Sequence, residues 1–210
     1  MDPVTQGLLG SICSQVACQR KIGKRAAIVG ALAGMAPDLD ILIRSSQAPL
    51  LSIYYHRHFT HSLTFIPIGG LLVGLWFIVF FKSCRNDKAW VIAAAIIGYA
   101  THGLLDAFTS YGTLLYWPFS LERISWDTMP IINIYYTGIL ALGVTVALVF
   151  KNSRYALMGL VVASLYMAYM SYLHACALDA LEDKLKQEHP KSISTARVMP
   201  LLFDQNQWYA

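Results

Sequence analysis

A polytopic all-α bundle of about five to six transmembrane helices is the fold class this sequence predicts. Three observations predict it. Of the 210 residues, 56% are hydrophobic and only 13% are charged, whereas soluble domains are about a quarter charged. Mean hydropathy is +0.49. Apolar runs of spanning length alternate with short basic clusters, the pattern of a multi-pass membrane protein rather than of a nucleic-acid binder. With a net charge of only +4, no nucleic-acid partner is expected, and membrane lipid is.

The elements follow in chain order. Met1-Asp2-Pro3 lacks a basic leader region, so no cleavable signal peptide is expected and the apolar segments themselves direct insertion. Residues 4–19 form a weak span, polar in places and short for a ~30 Å core that takes about 20 residues. Arg20, Lys21, Lys24 and Arg25 make a tight basic loop. Residues 26–43 are apolar again, with Gly30 and Gly34 spaced for close helix contact. Pro37 ends or kinks that segment, so Asp38-Leu39-Asp40 is expected at or just past a helix end, extended, with both carboxylates on one face. Residues 44–62 form a polar connection. Residues 63–81 and 89–108 are spans separated by Lys82, Arg85 and Lys88. Residues 109–130 are an aromatic-rich interfacial loop. Residues 131–150 and 155–173 complete the spans, separated by Lys151 and Arg154. Ala180 to Glu188 reads as a short, separate amphipathic helix, and Ser192 to Ala210 shows no periodicity. The membrane domain is thus expected over residues 1–175. The polar tail 176–210 is expected outside the membrane, either as a short natural C-terminus or as the start of a truncated extramembrane domain. Cys13, Cys18, Cys84 and Cys176 form no CxxC pair and read as small packing residues.

Charge fixes a topology. The loops 20–25, 82–88 and 151–154 hold nine of the sixteen Lys and Arg residues and alternate to one side, the cytoplasm by the positive-inside rule. The opposite face receives Asp38, Asp40, His56, His58, His61, His102 and Asp106. Hydropathy alone does not require this convergence.

These residues carry metal-binding chemistry. His56-Arg57-His58-Phe59-Thr60-His61-Ser62 holds three of the six histidines, and imidazole is the commonest metal ligand. His102 and Asp106, one helical turn apart, share a face. Ionisable groups within a span are costly and mark function. Mixed imidazole and carboxylate sets suit zinc, manganese or iron. Thr60 and Ser62 read as caps or as donors behind the ligands. Arg57 is placed to clamp an anionic group, or to snorkel at the interface. No GxSxG elbow or P-loop is present.

Four segments in order give the chain a family resemblance: Asp2 to Gly10, Ala36-Pro37-Asp38-Leu39-Asp40, His56 to Ser62, and Gly98 to Asp106, continuing into Tyr111-Gly112-Thr113 and Trp117-Pro118. Over residues 2–120 the chain resembles the LexA-regulated, inner-membrane metal-dependent hydrolases of the YdjM type. The resemblance implies a bacterial inner-membrane enzyme with Asp38, Asp40, His56, His61, His102 and Asp106 as metal ligands. Gln6 stands where some relatives carry histidine, and His58 is not a ligand position. A distant similarity to zinc phospholipase C and related nucleases favours a phosphoester.

The leading expectation is therefore a hydrolase using one or two divalent ions, zinc first, with the site on the extracytoplasmic side. Asp38 or Asp40 serves as general base where it is not a ligand, and Arg57 holds an anionic headgroup of a small-molecule, lipid-like or envelope substrate. Two non-enzymes compete. An ion or metal transporter predicts polar residues along a path to the cytoplasmic face, where spans 131–150 and 155–173 offer almost none. A structural bundle predicts His–Asp pairs that only join helices.

Overall fold

The computed structural model describes residues 1–48, 50–188, 196–201 and 208–209. Helix α1, Pro3–Ile22, starts at Asp2, whose carboxylate accepts from Thr5 N at 3.0 Å, with proline in its first turn. It stops at Gly23, where φ is +60°. Helix α2, Arg25–Met35, gives way to a 3-10 turn over Ala36–Leu42. Pro37 lacks the backbone donor that an α-helix needs there. A short α3, Leu51–Tyr55, leads through 3-10 turns at Phe59–His61 and Leu63–Phe65 into α4, Ile66–Phe80. Then follow α5, Lys88–Ala107, α6, Ile134–Val149, and α7, Ser153–Glu188. Asn133 caps α6 by accepting from Tyr136 N at 2.9 Å.

Segments Leu63–Phe80, Lys82–Ala107 and Ser153–Gln187 are long and apolar enough to cross a membrane, and α6 is a shorter apolar helix. The first two expected spans differ from these. Helix α2 is about 16 Å long, too short to cross alone. Helix α1 reaches about 30 Å but buries Thr5, Gln6, Ser11, Ser14, Gln15 and Gln19. It is wrapped by α2, α5, α6 and α7. Its polar groups therefore face protein and bond to it: Ser14 Oγ donates to Ala94 O at 2.8 Å, and Gln19 Nε2 to Ala147 O at 2.9 Å. What weakened α1 as a span is what joins it to its neighbours.

The core has two parts. Ile12, Leu140, Ala147, Ala156 and Met170 pack α1 against α6 and α7. Cys18, Val29, Phe77, Val91 and Ala94 pack α1, α2, α4 and α5. The expected close contact at Gly30 and Gly34 is present. A Cβ at Gly34 would stand 2.7 Å from Gln6 O and 3.2 Å from Gly10 Cα, and one at Gly30 would strike Gly10 O. Arg25 bonds Asp87 at 2.7 Å, which ties two basic loops together at one end of the bundle.

One expectation on the C-terminal side is corrected. The span expected to end at 173 and the separate helix at 180–188 are one helix, α7. No glycine or proline interrupts residues 160–188, so the rise in polarity marks exit from the apolar region and not a helix end. Of the tail expected to lack periodicity, Met199–Pro200 pairs antiparallel with Trp208–Tyr209. Residues 189–195, 202–207 and 210 lie outside the described residues. Arg197 fastens the tail to the 109–130 loop, with Nε and Nη2 at 2.7 and 2.8 Å from the two oxygens of Asp127.

Candidate metal centre

The N-terminus of α1, the 3-10 turn after α2, the histidine segment before α4 and the end of α5 meet at the end of the bundle opposite the basic loops. Asp38, His61, His102 and Asp106 bring one donor atom each to within 4.8 Å of one another. His102 Nε2 lies 3.3 Å from Asp38 Oδ1 and 3.6 Å from Asp106 Oδ2. His61 Nε2 lies 3.5 Å from both carboxylates. A second group, Asp38, Asp40 and His56, shares Asp38 with the first.

The other ring atoms are already held. His102 Nδ1 stands 2.5 Å from Gly34 O. His61 Nδ1 stands 3.0 Å from Thr60 Oγ1, which itself donates to Asp40 Oδ2 at 3.0 Å. A carbonyl accepts only, and a hydroxyl that donates onward accepts from its other neighbour, so both protons are assigned to Nδ1. Both Nε2 atoms then present lone pairs. These two atoms are buried without a hydrogen-bond partner, and Asp106 Oδ2 is buried beside them, paired with Arg57 Nε at 3.0 Å. Buried polar atoms are rarely left so. An imidazole whose far nitrogen is fixed by a carbonyl or carboxylate relay is the usual arrangement behind a metal ligand. Facing lone pairs and carboxylates within 3.3–3.6 Å call for a cation between them. The buried Asp/His group has the donor set and the geometry to hold a metal ion.

Backbone packing sets these positions. Asp40 is 3% exposed and binds the histidine segment to the 3-10 turn. Its Oδ1 meets His56 Nδ1 at 3.0 Å, and its Oδ2 accepts from Arg57 N at 2.9 Å. Arg57 takes φ +58° there, a left-handed conformation that redirects the chain between His56 and His58. Gly103 lets α5 come so close to His61 that a Cβ would strike the His61 carbonyl. Asp38 and Asp40 sit on a 3-10 turn rather than the expected extended segment. Asp38 reaches His61 and His102 and Asp40 reaches His56 and Thr60, while one oxygen of each stays within 4.8 Å of the other and of His56. Burial pulls the Asp38 carboxyl upward, but His102 and His61 outweigh it and hold the carboxyl well below the usual carboxylate range. Burial opposes protonation of His61, but Asp106 and Asp38 raise its pKa above the ordinary histidine value.

The profile of the YdjM inner membrane protein family matches residues 1–177. The chain belongs to that family. It is a multi-pass protein of the bacterial inner membrane. It is 31% identical over 108 residues to the inner membrane protein YbcI of Escherichia coli strain K12, which covers 49% of this chain and 58% of that relative. The chain thus spans less than two thirds of the length of the curated relative it matches. No solved structure matches it.

All six ligand positions carried by the family resemblance converge in this YdjM-family fold. Arg57 joins them: its buried Nε lies 3.0 Å from Asp106 Oδ2, its Nη1 donates to Thr109 Oγ1 at 2.9 Å, and it stacks on Tyr111 at 5.0 Å. His58 is turned away. Its Nδ1 accepts from Phe59 N at 2.8 Å and its ring packs with Tyr54, Tyr55 and Trp117. Gln6 is in the site as a supporting group, donating to Asp106 Oδ1 at 2.8 Å, where the Met1 amine also binds. Thr109 was not singled out by sequence. Its position three residues after Asp106, back-bonded to Asp106 O at 2.7 Å, is the signal that locates it.

Proposed function

We propose that this YdjM-family protein is a membrane-embedded, metal-dependent hydrolase of an ester or phosphoester. The observation that carries the reading is the convergence of His61 Nε2 and His102 Nε2, both buried without a hydrogen-bond partner, on the carboxylates of Asp38 and Asp106. Asp38, His61, His102 and Asp106 would hold one ion, and Asp38, Asp40 and His56 a second. The donor set suits zinc, with manganese or iron next. Bound there, a divalent ion lowers the pKa of a water molecule and polarises the scissile group.

The chain's own groups supply the rest. Asp38, with its side chain 27% exposed, is the most open of the four groups that would hold the first ion. Asp40 has both oxygens engaged and positions His56 and His61. Arg57 sets a buried positive charge beside Asp106, where an anionic group of the substrate would be neutralised. The positive-inside rule places this centre on the extracytoplasmic side. The test is hydrolysis of a panel of carboxylic and phosphoric esters by purified protein, with His61→Ala and Asp106→Ala. Loss of activity in both variants supports the reading, and activity unchanged by both removes it.

A transporter is the second reading. It is favoured by Gln15 and Gln19, one turn apart on the α6-facing side of α1, whose buried Oε1 atoms have no hydrogen-bond partner. Zinc uptake by proteoliposomes that falls in Gln15→Leu and Gln19→Leu would support transport over hydrolysis.

A further inference from the structure

Between α2 and α4 runs an apolar groove of about 500 Å³, lined by Leu32, Met35, Leu39, Leu72, Trp76 and Phe77 among others. A second hollow of about 280 Å³ shares Ala36, Leu39, Leu72 and Val73 with it and reaches Asp40 and Thr60. The two are continuous, one end apolar and the other at the carboxylate that positions the histidine segment. On the α4 side the lining residues are 65, 69, 72, 73, 76 and 77. Steps of three and four place them on one face. From Phe65 to Phe77 that face extends about 18 Å, near half of a ~30 Å hydrocarbon core and so the depth of one leaflet.

The groove lies along the span Leu63–Phe80. Its rim residues Leu39 and Leu72 are exposed at 62% and 60%, so it opens sideways into the acyl region and not into water. An occupant has to be apolar for the depth of a leaflet and polar where the groove meets the centre. A partner helix is about 10 Å across with its side chains, too broad for the hollow that ends on Asp40. A single hydrocarbon chain enters it.

We infer that the α2–α4 groove seats one hydrocarbon chain of a membrane lipid whose headgroup lies at the Asp40 and Thr60 end, beside the centre. The substrate is then a lipid ester that enters from the bilayer. The chemistry rests on the hydrolase reading. The seating of the chain rests on the groove alone.

The test uses the full chain in phosphatidylcholine vesicles doped with phosphatidic acid that carries a diazirine midway along one acyl chain. After photolysis, peptides are mapped by mass spectrometry. Labelling of 28–43 and 63–81 is expected to exceed that of the lipid-facing residues of α6 and α7 by about tenfold. Leu72→Trp, which fills the groove from an exposed position, is expected to reduce it to the α6 and α7 level. Leu71→Trp, outside the groove lining, is expected to leave it unchanged. Uniform labelling of all lipid-facing helices in the wild type overturns the inference, and so does labelling that Leu72→Trp leaves intact. Phosphate release is assayed on the same vesicles. Selective labelling without hydrolysis of any ester keeps the groove and removes the hydrolase reading. Hydrolysis with uniform labelling removes the groove inference alone.

Discussion

The Nδ1 of His102 stands 2.5 Å from the carbonyl oxygen of Gly34, so a residue of α2 fixes which nitrogen of an α5 histidine is bare. His61, in the segment before α4, is fixed the same way by Thr60. His58, three residues earlier, is packed among aromatic rings instead. His61→Ala is therefore expected to weaken metal binding by more than about 100-fold, beyond the loss typical of an outer partner. His58→Ala is expected to leave it unchanged. Competition titration with a chromophoric chelator measures both.

Thr60 gives a second prediction, because it links His61 Nδ1 to Asp40 through one hydroxyl. Thr60→Val keeps the shape and removes the link. Metal affinity is expected to fall about 10- to 100-fold with the unfolding temperature nearly unchanged, and Thr60→Ser is expected to restore it. The same titration checks this, with thermal unfolding in detergent as the control.

The crossing of α1 and α2 predicts a stability effect independent of metal. A Cβ at Gly30 would strike Gly10 O and Ser14, so Gly30→Ala is expected to destabilise by about 1–3 kcal/mol through overpacking. A Cβ at Gly138 of α6 would meet nothing within 4 Å. Gly138→Ala is expected to stabilise by about 0.5–1 kcal/mol through helix propensity. Denaturant or thermal unfolding of the two variants in one detergent compares them.

The pH dependence follows from His61. Its pKa in the folded chain is raised: burial lowers it, but Asp106 and Asp38 more than compensate. A raised folded pKa gives the metal-free protein stability that is full below the unfolded value of about 6.5 and lost as pH rises through the folded pKa. A metal ion needs the same nitrogen without its proton, so binding strengthens over that window. The expected result is an unfolding temperature in chelator that falls as pH rises above about 6.5, and a flatter profile for His61→Gln. Thermal unfolding across a pH series reads this directly.

Much of this site is legible in the sequence because its residue types are expensive in a membrane. His102 and Asp106 one turn apart, and three histidines before an apolar span, stand out against a 13% charged chain. Charge alternation then places them on one face without any tertiary information. Thr60 is legible as a donor behind the ligands because it sits beside His61, but the other supporting groups are not. Gly34 and Thr109 act through a backbone carbonyl and a back-bonded turn, and such residues occur throughout membrane helices for packing alone. Helix α1 reads as a poor span because hydropathy assumes lipid on every side, whereas Gln6, Ser14, Gln15 and Gln19 face other helices. The 3-10 turn at Asp38–Asp40 packs against α4 and α5, a tertiary fact. The continuity of α7 past residue 173 shows that loss of hydropathy marks the edge of a span and not the end of a helix.

Metal content by mass spectrometry of detergent-purified protein, beside the His102→Ala/Asp106→Ala double variant, tests the central claim most directly. One or two equivalents of zinc, manganese or iron are expected in the wild type and lost in the folded double variant. Two equivalents would place the second ion at Asp38, Asp40 and His56. No bound metal in either protein, with the wild type equally stable in chelator, would contradict the account and leave the His–Asp cluster as a structural joint between helices.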